Sequence, residues 1–472
     1  MRELGVIFGE VEARSFKFNV TGEVKQSDYV KVFHIKDGWV LFQVTSLIKF
    51  LDDENEKLVA KAGVIGYKDP SGILRVPKIP FSPGDKIFTA DQELISKTLG
   101  LGVDPNSGAY IGMLDGTSVK VSLRINNLVS RHASILAKTG SGKSYAAAVI
   151  IEELLEKGVS LVIIDPHGEY LSLREKSRSA GTMAAFEITP KGYAPQITVY
   201  TPANLTVNPR ADKIFRLDSV NLSARVVHQL IPDVTSKQIG IVHQSINKIK
   251  EQKEIYSLSD VIEEASKNDS SEKWGLINSL EALRDTGILS DNPTTIDELV
   301  QRGRASIIDM KGITPELQGI IVARVCEELF EARKMNKVPP VMLVVEEAHD
   351  FCPEKGYRKV ASSDVMRTIA SEGRKFGLGL MVISQRPARV DKNVLSQCGT
   401  QIILKVTNPN DIKALSKGLE GFTAEMSEEI KRLPPGVALL VSGDIEKPVV
   451  VNIRPRRSEH GGRSVSVVDD GE

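Results

Sequence analysis

Two groups of residues in this 472-residue sequence have the types and spacing that phosphate chemistry requires. The first group is Ala137–Ser144, with the sequence AKTGSGKS, which combines closely spaced glycines with a lysine and a hydroxyl group. Glycine N–H groups close around phosphate oxygens, lysine supplies a mobile positive charge, and serine ligates magnesium. An apolar strand pattern precedes this loop and an alanine-rich helix pattern follows it, so the group predicts a nucleotide-binding site.

Each residue of this loop has an expected role toward ATP and Mg²⁺. We expect Gly140 and Gly142 to admit the phosphate oxygens to the backbone N–H groups. Lys143 should reach the β- and γ-phosphates, and Ser144 should ligate the magnesium. Ala137 replaces the first glycine of the G-x-x-x-x-G-K-[ST] pattern, a departure of one methyl group. The further candidate nucleotide contacts are Thr139, Ser141 and Tyr145.

The second group is a pair of adjacent carboxylates, Glu346 and Glu347, at the end of the apolar run that begins at Val341. Successive side chains of a strand point to opposite faces, so the two carboxylates can take different tasks. We assign Glu346 to the metal and Glu347 to activation of the attacking water. Taken alone, the pair is also compatible with an ordinary strand that leads into a charged turn.

The elements that must position these residues alternate between apolar strands and amphipathic helices after Arg131. This alternation is typical of an α/β fold in which helices cover both faces of a parallel sheet. We expect a helix over residues 143–157. The expected strands of the sheet are Ala133–Ala137, Val159–Ile164, Ala305–Met310, Val341–Glu346, Leu378–Ser384 and Gln401–Val406.

Three further regions differ from this pattern. Residues 1–110 contain short runs of β-branched and aromatic residues between turn signals, which predict a small N-terminal β-barrel. Residues 214–300 have helical patterns only, which indicates a helical insertion into a core formed by 111–213 and 301–453. The tail at 454–472 is polar and rich in glycine and serine, so we expect its last residues to be disordered unless they bind something.

Composition restricts the possible partners and the compartment. Lysine plus arginine and aspartate plus glutamate are both 61, so any contact with a polyanion must be a local stripe of charge. Three widely spaced cysteines suggest neither a zinc site nor a disulfide framework, and we expect a reducing, cytoplasmic location. No run approaches the roughly 20 apolar residues that span a bilayer, so no membrane association is expected.

Four stretches of the sequence resemble the HerA/FtsK branch of P-loop motors, and specifically its archaeal HerA-type translocases. The N-terminal region resembles, less specifically, the HAS barrel that this family shares with rotary ATP synthase subunits. The four stretches are Arg131–Ser144, Ile164–Tyr170, Val345–His349, and Ser371–Gly377 continuing to Ser384–Pro387.

This resemblance implies a RecA-like P-loop motor core with an N-terminal HAS-like barrel and a helical insertion. It further implies a homo-hexameric ring that hydrolyses ATP with Mg²⁺ and threads double-stranded DNA. A NurA-type nuclease is the implied partner, in the resection of broken DNA ends.

The resemblance also suggests roles for four residues outside the loop and the carboxylate pair. Arg374 corresponds to an arginine finger that reaches the nucleotide of the neighbouring subunit. Gln385 corresponds to a polar sensor of the γ-phosphate. Arg131 is implied to touch nucleotide or the subunit interface. Asp165 either tunes magnesium or holds Lys143, or it simply stabilises the Asp-Pro-His-Gly turn.

Contacts of a translocase with DNA should be cations on loops, aimed at phosphates. The best candidates are Lys355, Arg358 and Lys359 in the loop after the carboxylate pair, with the segment Arg389–Lys392 second. A run of charges is more often solvated surface, so the interpretation of both segments as DNA contacts rests on the family resemblance.

Three other functions remain open at this point. A conjugation-type or secretion-type ATPase would pump DNA or protein at a membrane complex. A rotary-synthase-like subunit would explain the barrel but fits the double glutamate poorly. A non-enzymatic nucleotide-binding scaffold would leave Glu347 and Arg374 without a task.

Overall fold

A computed structural model describes residues 2–52, 55–179, 181–231, 234–418 and 423–461 of the chain. The chain divides into two compact units. The first unit is Met1–Ile125 with Val437–Arg454, and the second is Asn126–Gly436 with Pro455–Glu472.

The secondary structure alternates between strands and helices over most of the second unit. The strands are β1 Glu3–Val11, β2 Ser15–Val20, β3 Tyr29–His34, β4 Gly38–Asp52, β5 Asn55–Lys68, β6 Leu74–Arg75, β7 Lys86–Thr89, β8 Gly108–Leu114, β9 Lys120–Arg124, β10 Ala133–Leu136, β11 Ser160–Asp165, β12 Ile197–Thr201, β13 Lys213–Ile214, β14 Leu217–Asp218, β15 Leu289–Ser290, β16 Ala305–Asp309, β17 Val341–Val345, β18 Leu378–Ser384, β19 Thr400–Ile403, β20 Val437–Ser442 and β21 Val449–Ile453. The α-helices are α1 Gln92–Leu99, α2 Ile125–Ser130, α3 Lys143–Glu156, α4 Ala224–Leu230, α5 Ser236–Gln252, α6 Leu258–Ser266, α7 Lys273–Asp285, α8 Ile296–Leu299, α9 Pro315–Lys334, α10 Ala348–Phe351, α11 Ser363–Glu372, α12 Lys392–Ser396, α13 Pro409–Gly418 and α14 Ala424–Arg432.

Six strands of the first unit close into a barrel in the order β2-β1-β7-β3-β4-β5, and β2 pairs with β5 to complete the ring. Alternate side chains point inward, so Phe16 and Phe18 of β2 are buried together with Phe42 of β4. The rings of Phe16 and Phe42 lie 4.7 Å apart between centroids. Closure leaves these strands without a free edge, and the small barrel predicted from the sequence is confirmed.

The limits of the first unit differ from the predicted ones. We expected the barrel to end near residue 110 and residues up to 453 to belong to the motor core. Instead β20 and β21 form an antiparallel sheet with the β8–β9 hairpin, in the order β20-β21-β8-β9. These hydrogen bonds join hairpins that are distant in sequence, so the local pattern of neither hairpin reveals the pairing.

The second unit is built on a parallel sheet with the strand order β13-β12-β16-β11-β17-β18-β10-β19. Every residue of β11, β16, β17 and β18 is buried, because helices cover both faces. The α/β core predicted from alternating strands and helices is confirmed. Since all these strands run in one direction, their carboxyl ends meet at one edge of the sheet, where such folds bind ligands.

Residues 214–300 are mostly helical, as their pattern predicts, but the short strands β14 and β15 pair in parallel near the two ends of this segment, which the pattern did not predict. The helices α4 to α7 bury an apolar core that includes Val227, Ile246 and Leu280. Thr235 and Ser257 begin α5 and α6 with capping boxes, in which side chain and backbone donors are satisfied reciprocally.

Cys326, Cys352 and Cys398 are free and buried. Within the part of the chain that the structure describes, no helix combines the length and the apolar character needed to cross a membrane.

Candidate nucleotide-processing site

The loop Ala137–Gly142 joins β10 to α3 at the carboxyl edge of the parallel sheet. Gly140 and Gly142 adopt the left-handed conformation, with φ of 76° and 91°, which side-chain-bearing residues rarely adopt. Gly142 precedes α3, and no side chain among the described residues caps the start of this helix. The N–H groups of its first turn and the helix dipole therefore favour an anion at this position.

The two glutamates lie opposite this loop, directly after β17. Glu346 is fully buried and Glu347 is 5% exposed. The Lys143 ammonium contacts Oε1 of Glu346, and it lies 3.3 Å from Oε1 of Glu347. The fold thus brings Lys143 together with Glu346 and Glu347. Their order along the chain alone does not reveal this proximity.

Glu347 adopts a strained backbone conformation at the start of α10, with φ of 50° and ψ of 45°. Left-handed geometry is costly for a residue with a Cβ, and such strain concentrates at functional sites. Among the described residues its Oε2 atom is buried without a hydrogen bond, and Nδ1 of His349 lies 3.3 Å from it. An incompletely satisfied carboxylate next to an ammonium fits the acceptor that a magnesium-bound nucleotide and its attacking water require.

Tyr170 holds the other glutamate in place. Its hydroxyl is buried and donates a hydrogen bond to Oε2 of Glu346. Tyr170 is in turn placed by Asp165 at the end of β11, whose Oδ2 accepts the Tyr170 N–H at 3.0 Å. Asp165 and Glu346 are therefore connected by two hydrogen bonds to the same tyrosine, one from its backbone N–H and one from its hydroxyl.

Asp165 itself stabilises the turn that follows it. Its Oδ1 accepts N–H donors from Gly168 at 2.9 Å and from Glu169 at 3.1 Å, in addition to the Tyr170 bond. Burial raises the pKa of Asp165 to about 6, although these donors favour its charged form. Of the two interpretations of Asp165, the described contacts favour the turn, and they include no contact with Lys143.

Gln385 follows β18 at the same edge of the sheet. Its side-chain oxygen accepts a hydrogen bond from the Thr139 hydroxyl of the phosphate loop. Ser384, one residue earlier, lies with its Oγ 3.1 Å from Nδ1 of His349. The candidate sensor is therefore bonded to the phosphate loop on one side and adjacent to a histidine beside Glu347 on the other.

The remaining loop residues have structural contacts. The Ser141 hydroxyl donates to the Lys405 carbonyl at 3.4 Å. Tyr145 accepts the Arg456 N–H at 2.9 Å and packs its ring against His460. Ser144 lies in the first turn of α3, half-buried. Tyr145 therefore contacts the chain's own C-terminal segment.

Arg131 and Arg374 lie away from the phosphate loop of their own chain. Arg131 precedes β10 and Arg374 precedes β18, whereas the loop and Gln385 follow these two parallel strands. Both arginines are exposed. The seven residues of β18 separate the two edges by about 23 Å. Arg131 is therefore distant from the phosphate loop of its own chain, and its contact with nucleotide or with the subunit interface stays a prediction.

Arg367, on the helix that precedes Arg374, is committed to its own chain. Arg367 forms ion pairs of 2.7 Å with Asp364 and with the buried Asp391. Across the described residues, the guanidinium of Arg374 has no such pair. The structure therefore leaves Arg374 available to another molecule.

The candidate DNA loop is exposed and partly tied to its neighbours. Lys355, Arg358 and Lys359 are all exposed, and Gly356 has a positive φ. Arg358 donates to the Asp350 carbonyl at 2.8 Å. The guanidinium of Arg389 lies over the Tyr357 ring at 5.6 Å. These contacts place the loop beside Gln385, and its DNA role stays a proposal.

Sequence reasoning did not assign a role to Tyr170, His349 or Ser384. All three lie within the stretches that carry the family resemblance, so their positions could have been singled out. Their roles could not be predicted, because each of the three contacts a residue near the end of a different strand of the sheet.

The geometry can be compared with known proteins. A family profile described as "Helicase HerA, central domain" matches residues 109–329. The chain is 27% identical to "DNA double-strand break repair helicase HerA" of Pyrococcus furiosus, over 99% of this chain and 96% of that one. It is 28% identical to the protein of the same name from Sulfurisphaera tokodaii, over 99% and 96%.

Solved structures share the fold. VirB4 of Thermoanaerobacter pseudethanolicus superposes with a TM-score of 0.53 at 15% identity, covering 75% of this chain and 97% of that one. The bacterial conjugative coupling protein TrwBdeltaN70 gives 0.50 at 15% identity, with 75% and 90% covered. At this identity the likeness concerns the fold alone.

Proposed function

Because this chain belongs to the HerA/FtsK superfamily of P-loop ATPases, we propose that it hydrolyses ATP to move along double-stranded DNA. The observation that carries the proposal is the meeting of Lys143 with Glu346 and Glu347 at the edge of the sheet. A phosphate loop without this carboxylate pair would bind a nucleotide but would lack a group to activate water.

Each side chain has a defined task in this mechanism. Lys143 binds the β- and γ-phosphates, while the N–H groups around Gly140 and Gly142 receive the phosphate oxygens. Ser144 and Glu346 hold Mg²⁺, which neutralises charge on the phosphates when bound. Glu347 orients and deprotonates the attacking water. Gln385 reports the state of the γ-phosphate to β18 through its bond to Thr139.

A ring of six identical subunits completes this site. Arg374 is exposed, lacks an ion pair among the described residues, and lies at the sheet edge opposite to its own phosphate loop. A guanidinium in that position serves the active site of a neighbouring subunit, where it neutralises charge in the transition state. Arg131 lies at the same edge and contributes to the same interface.

The DNA substrate is supported by the relatives. Proteins of similar sequence and nearly equal length are named DNA double-strand break repair helicases. We infer that the substrate is duplex DNA at broken ends, that a NurA-type nuclease is the partner, and that the setting is cytoplasmic end resection. Lys355, Arg358 and Lys359 are the proposed phosphate contacts.

The test is steady-state ATP turnover with and without linear duplex DNA, for the wild type, Glu347→Gln and Arg374→Ala. We expect DNA to stimulate the wild type. Glu347→Gln should lose activity by at least about 100-fold while it still binds ATP, because only water activation is removed. Arg374→Ala should lose roughly 1000-fold, as expected for an arginine finger.

Lys375→Ala is the matched control, because Lys375 is an equally exposed cation adjacent to Arg374. It should behave like the wild type. Robust turnover that ignores DNA, also in the presence of the nuclease, would instead favour a protein-pumping or membrane-docked ATPase.

A further inference from the structure

A buried histidine stands between the catalytic carboxylate and the strand that carries Gln385. His349 is 9% exposed, and its Nδ1 lies 3.3 Å from Oε2 of Glu347 and 3.1 Å from Oγ of Ser384. No other described side chain contacts both the strained glutamate and β18 in this way. The role assigned to Glu347 does not by itself require this histidine.

The hydrogen-bonding capacity of Nδ1 makes these two contacts mutually exclusive. One ring nitrogen carries either one hydrogen or one lone pair in the neutral imidazole. With a hydrogen, Nδ1 donates to one of its two neighbours. With a lone pair, it accepts the Ser384 hydroxyl and faces the Glu347 carboxylate without a bond. Ser384 Oγ accepts the Arg386 N–H at 3.0 Å and keeps a second lone pair, so a hydrogen on Nδ1 can be donated either to this oxygen or to Oε2 of Glu347 without a change of tautomer.

The two neighbours of His349 belong to elements that respond to different ligands. Ser384 is followed by Gln385, which is bonded to the phosphate loop through Thr139. His349 belongs to α10, which leads directly into the segment 353–359, whose residues 355–359 are exposed and include the proposed DNA contacts. Only a few residues of chain therefore separate the imidazole from Gln385 on one side and from the segment 353–359 on the other.

The segment 353–359 is also fixed to the chain that follows Gln385. Pro353 forms a β-bridge with Val390. The Glu354 N–H donates to the Arg389 carbonyl at 2.8 Å, and the Asp391 N–H donates to the Cys352 carbonyl at 2.9 Å. If a DNA phosphate backbone displaces the segment 353–359, the displacement is therefore transmitted both to α10, which carries His349, and to the chain that follows Ser384.

We propose that His349 is a positioning residue that exchanges its Nδ1 bond between Ser384 and Glu347, and so orients the catalytic carboxylate only when DNA engages the segment 353–359. The proposal rests on the proposed function, since it assumes DNA-stimulated hydrolysis. The bond to Ser384 corresponds to the resting state. The bond to Glu347 corresponds to the active state.

The experiment measures kcat, the KM for ATP and the stimulation by linear duplex DNA in the full-length protein. His349→Ala should lower DNA-stimulated kcat roughly 10- to 100-fold, the usual loss when an orienting partner is removed, with KM for ATP within about 2-fold. His349→Asn places an amide near the Nδ1 position and should recover part of that loss. Intact folding of each variant is checked by its thermal midpoint and its assembly state.

Ser384→Ala and the double variant with His349→Ala separate this role from simple packing. Ser384→Ala removes the resting partner, so it should raise turnover without DNA and reduce the stimulation ratio. The double variant should match His349→Ala alone, because both residues act through one bond. Independent, additive effects of the two substitutions in the double variant, or a failure of His349→Asn to recover any activity, would show that His349 only packs.

A matched control is His243→Ala, an exposed histidine on α5 that should leave every parameter unchanged. If the wild type is not stimulated by DNA, the proposed function itself fails. If the wild type is stimulated and His349→Ala keeps full stimulation and full kcat, only the role of His349 is refuted.

Discussion

At the scale of single residues, the two glutamates are supported by different means. Glu346 is fully buried and receives a hydrogen bond from Tyr170, whereas Glu347 has no hydrogen bond to its Oε2 from the described residues. A carboxylate that holds a metal benefits from a fixed orientation, and one that activates water benefits from freedom to accept a proton. One buried oxygen of each glutamate, Oε1 of Glu346 and Oε2 of Glu347, lacks a hydrogen-bond partner among the described residues, so the division of tasks stays a prediction that rests on the Tyr170 bond.

This division predicts the effect of Tyr170→Phe. The ring stays buried while the hydrogen bond to Glu346 is lost, so the carboxylate is less well oriented toward Mg²⁺. We expect the Mg²⁺ concentration for half-maximal turnover to rise about 10-fold, with little change in kcat at saturating Mg²⁺. Tyr193→Phe is the control, because that hydroxyl donates to Glu156, outside the site. An unchanged Mg²⁺ requirement would contradict the support that Tyr170 gives.

A second residue-scale prediction concerns His132, at the start of β10. Its Nδ1 accepts the Leu380 N–H at 3.0 Å, so its Nε2 carries the hydrogen and donates to the Ala370 carbonyl at 3.0 Å. Burial lowers the pKa of His132, which keeps the imidazole neutral in the folded protein. Below about pH 6.5 the unfolded chain binds this proton more readily, so stability should fall as pH decreases.

His132→Asn tests this sign. Asparagine tolerates the left-handed backbone, φ 56°, and keeps an acceptor for Leu380, but it cannot titrate. The variant should be less stable than the wild type at pH 8, by about 1 kcal/mol for the lost bond to Ala370. The difference should shrink by pH 5.5 in thermal unfolding. A constant difference across this range would exclude His132 as the titrating group.

At the scale of elements, the sequence predicted what depends on neighbours along the chain. The strand before the phosphate loop, the helix α3 and the strand β18 appear within one residue of their expected ends, because each has a local apolar period and clear end signals. What could not be predicted depends on pairing at a distance. The pairing of β21 with β8 and the contact of Tyr170 with Glu346 are examples.

The structure of the C-terminal segment also could not be predicted from its composition. Its polar character predicted disorder for the last residues, and residues 462–472 lie outside those described. The part before them is held by Glu152 of α3, a buried carboxylate that accepts the N–H groups of Arg457 at 3.0 Å and Ser458 at 2.9 Å. It also accepts the Ser458 hydroxyl at 2.6 Å. Three hydrogen bonds to one carboxylate therefore order this part of the segment although its composition is polar.

This contact predicts that Glu152→Ala releases the segment from the helix of the phosphate loop. Loss of several charge-assisted hydrogen bonds should cost about 3 kcal/mol of stability. Amide hydrogen exchange of residues 455–461 should increase, while exchange in β17 and β18 stays slow. Ser458→Ala, which removes one bond of the three, should give a smaller increase. Equal exchange in all three proteins would show that other contacts hold the segment.

At the scale of the whole molecule, the two edges of the parallel sheet carry different charged residues. One edge carries Lys143, Glu346 and Glu347, and the opposite edge carries Arg131 and Arg374. In a ring with head-to-tail interfaces, each subunit presents the second edge to the first edge of its neighbour. The net charge of zero fits such a ring, because attraction between subunits then depends on local complementarity.

The proposed ring predicts that two inactive variants restore each other. Glu347→Gln subunits retain Arg374, and Arg374→Ala subunits retain Glu347, so a mixed ring contains complete sites. Random mixing in equal amounts makes roughly a quarter of the interfaces complete. DNA-stimulated turnover should therefore reappear when the two proteins are dissociated and reassembled together. Absence of recovery in demonstrably mixed rings would place Arg374 outside the neighbouring site.

The left-handed backbone at Glu347 has a consequence for the history of this protein under selection. At that position glycine or asparagine would relieve strain on the order of 1 kcal/mol, so the most heat-resistant sequence and the active sequence differ there. Selection for stability alone would therefore favour glycine or asparagine at this position and would remove the proposed water-activating group.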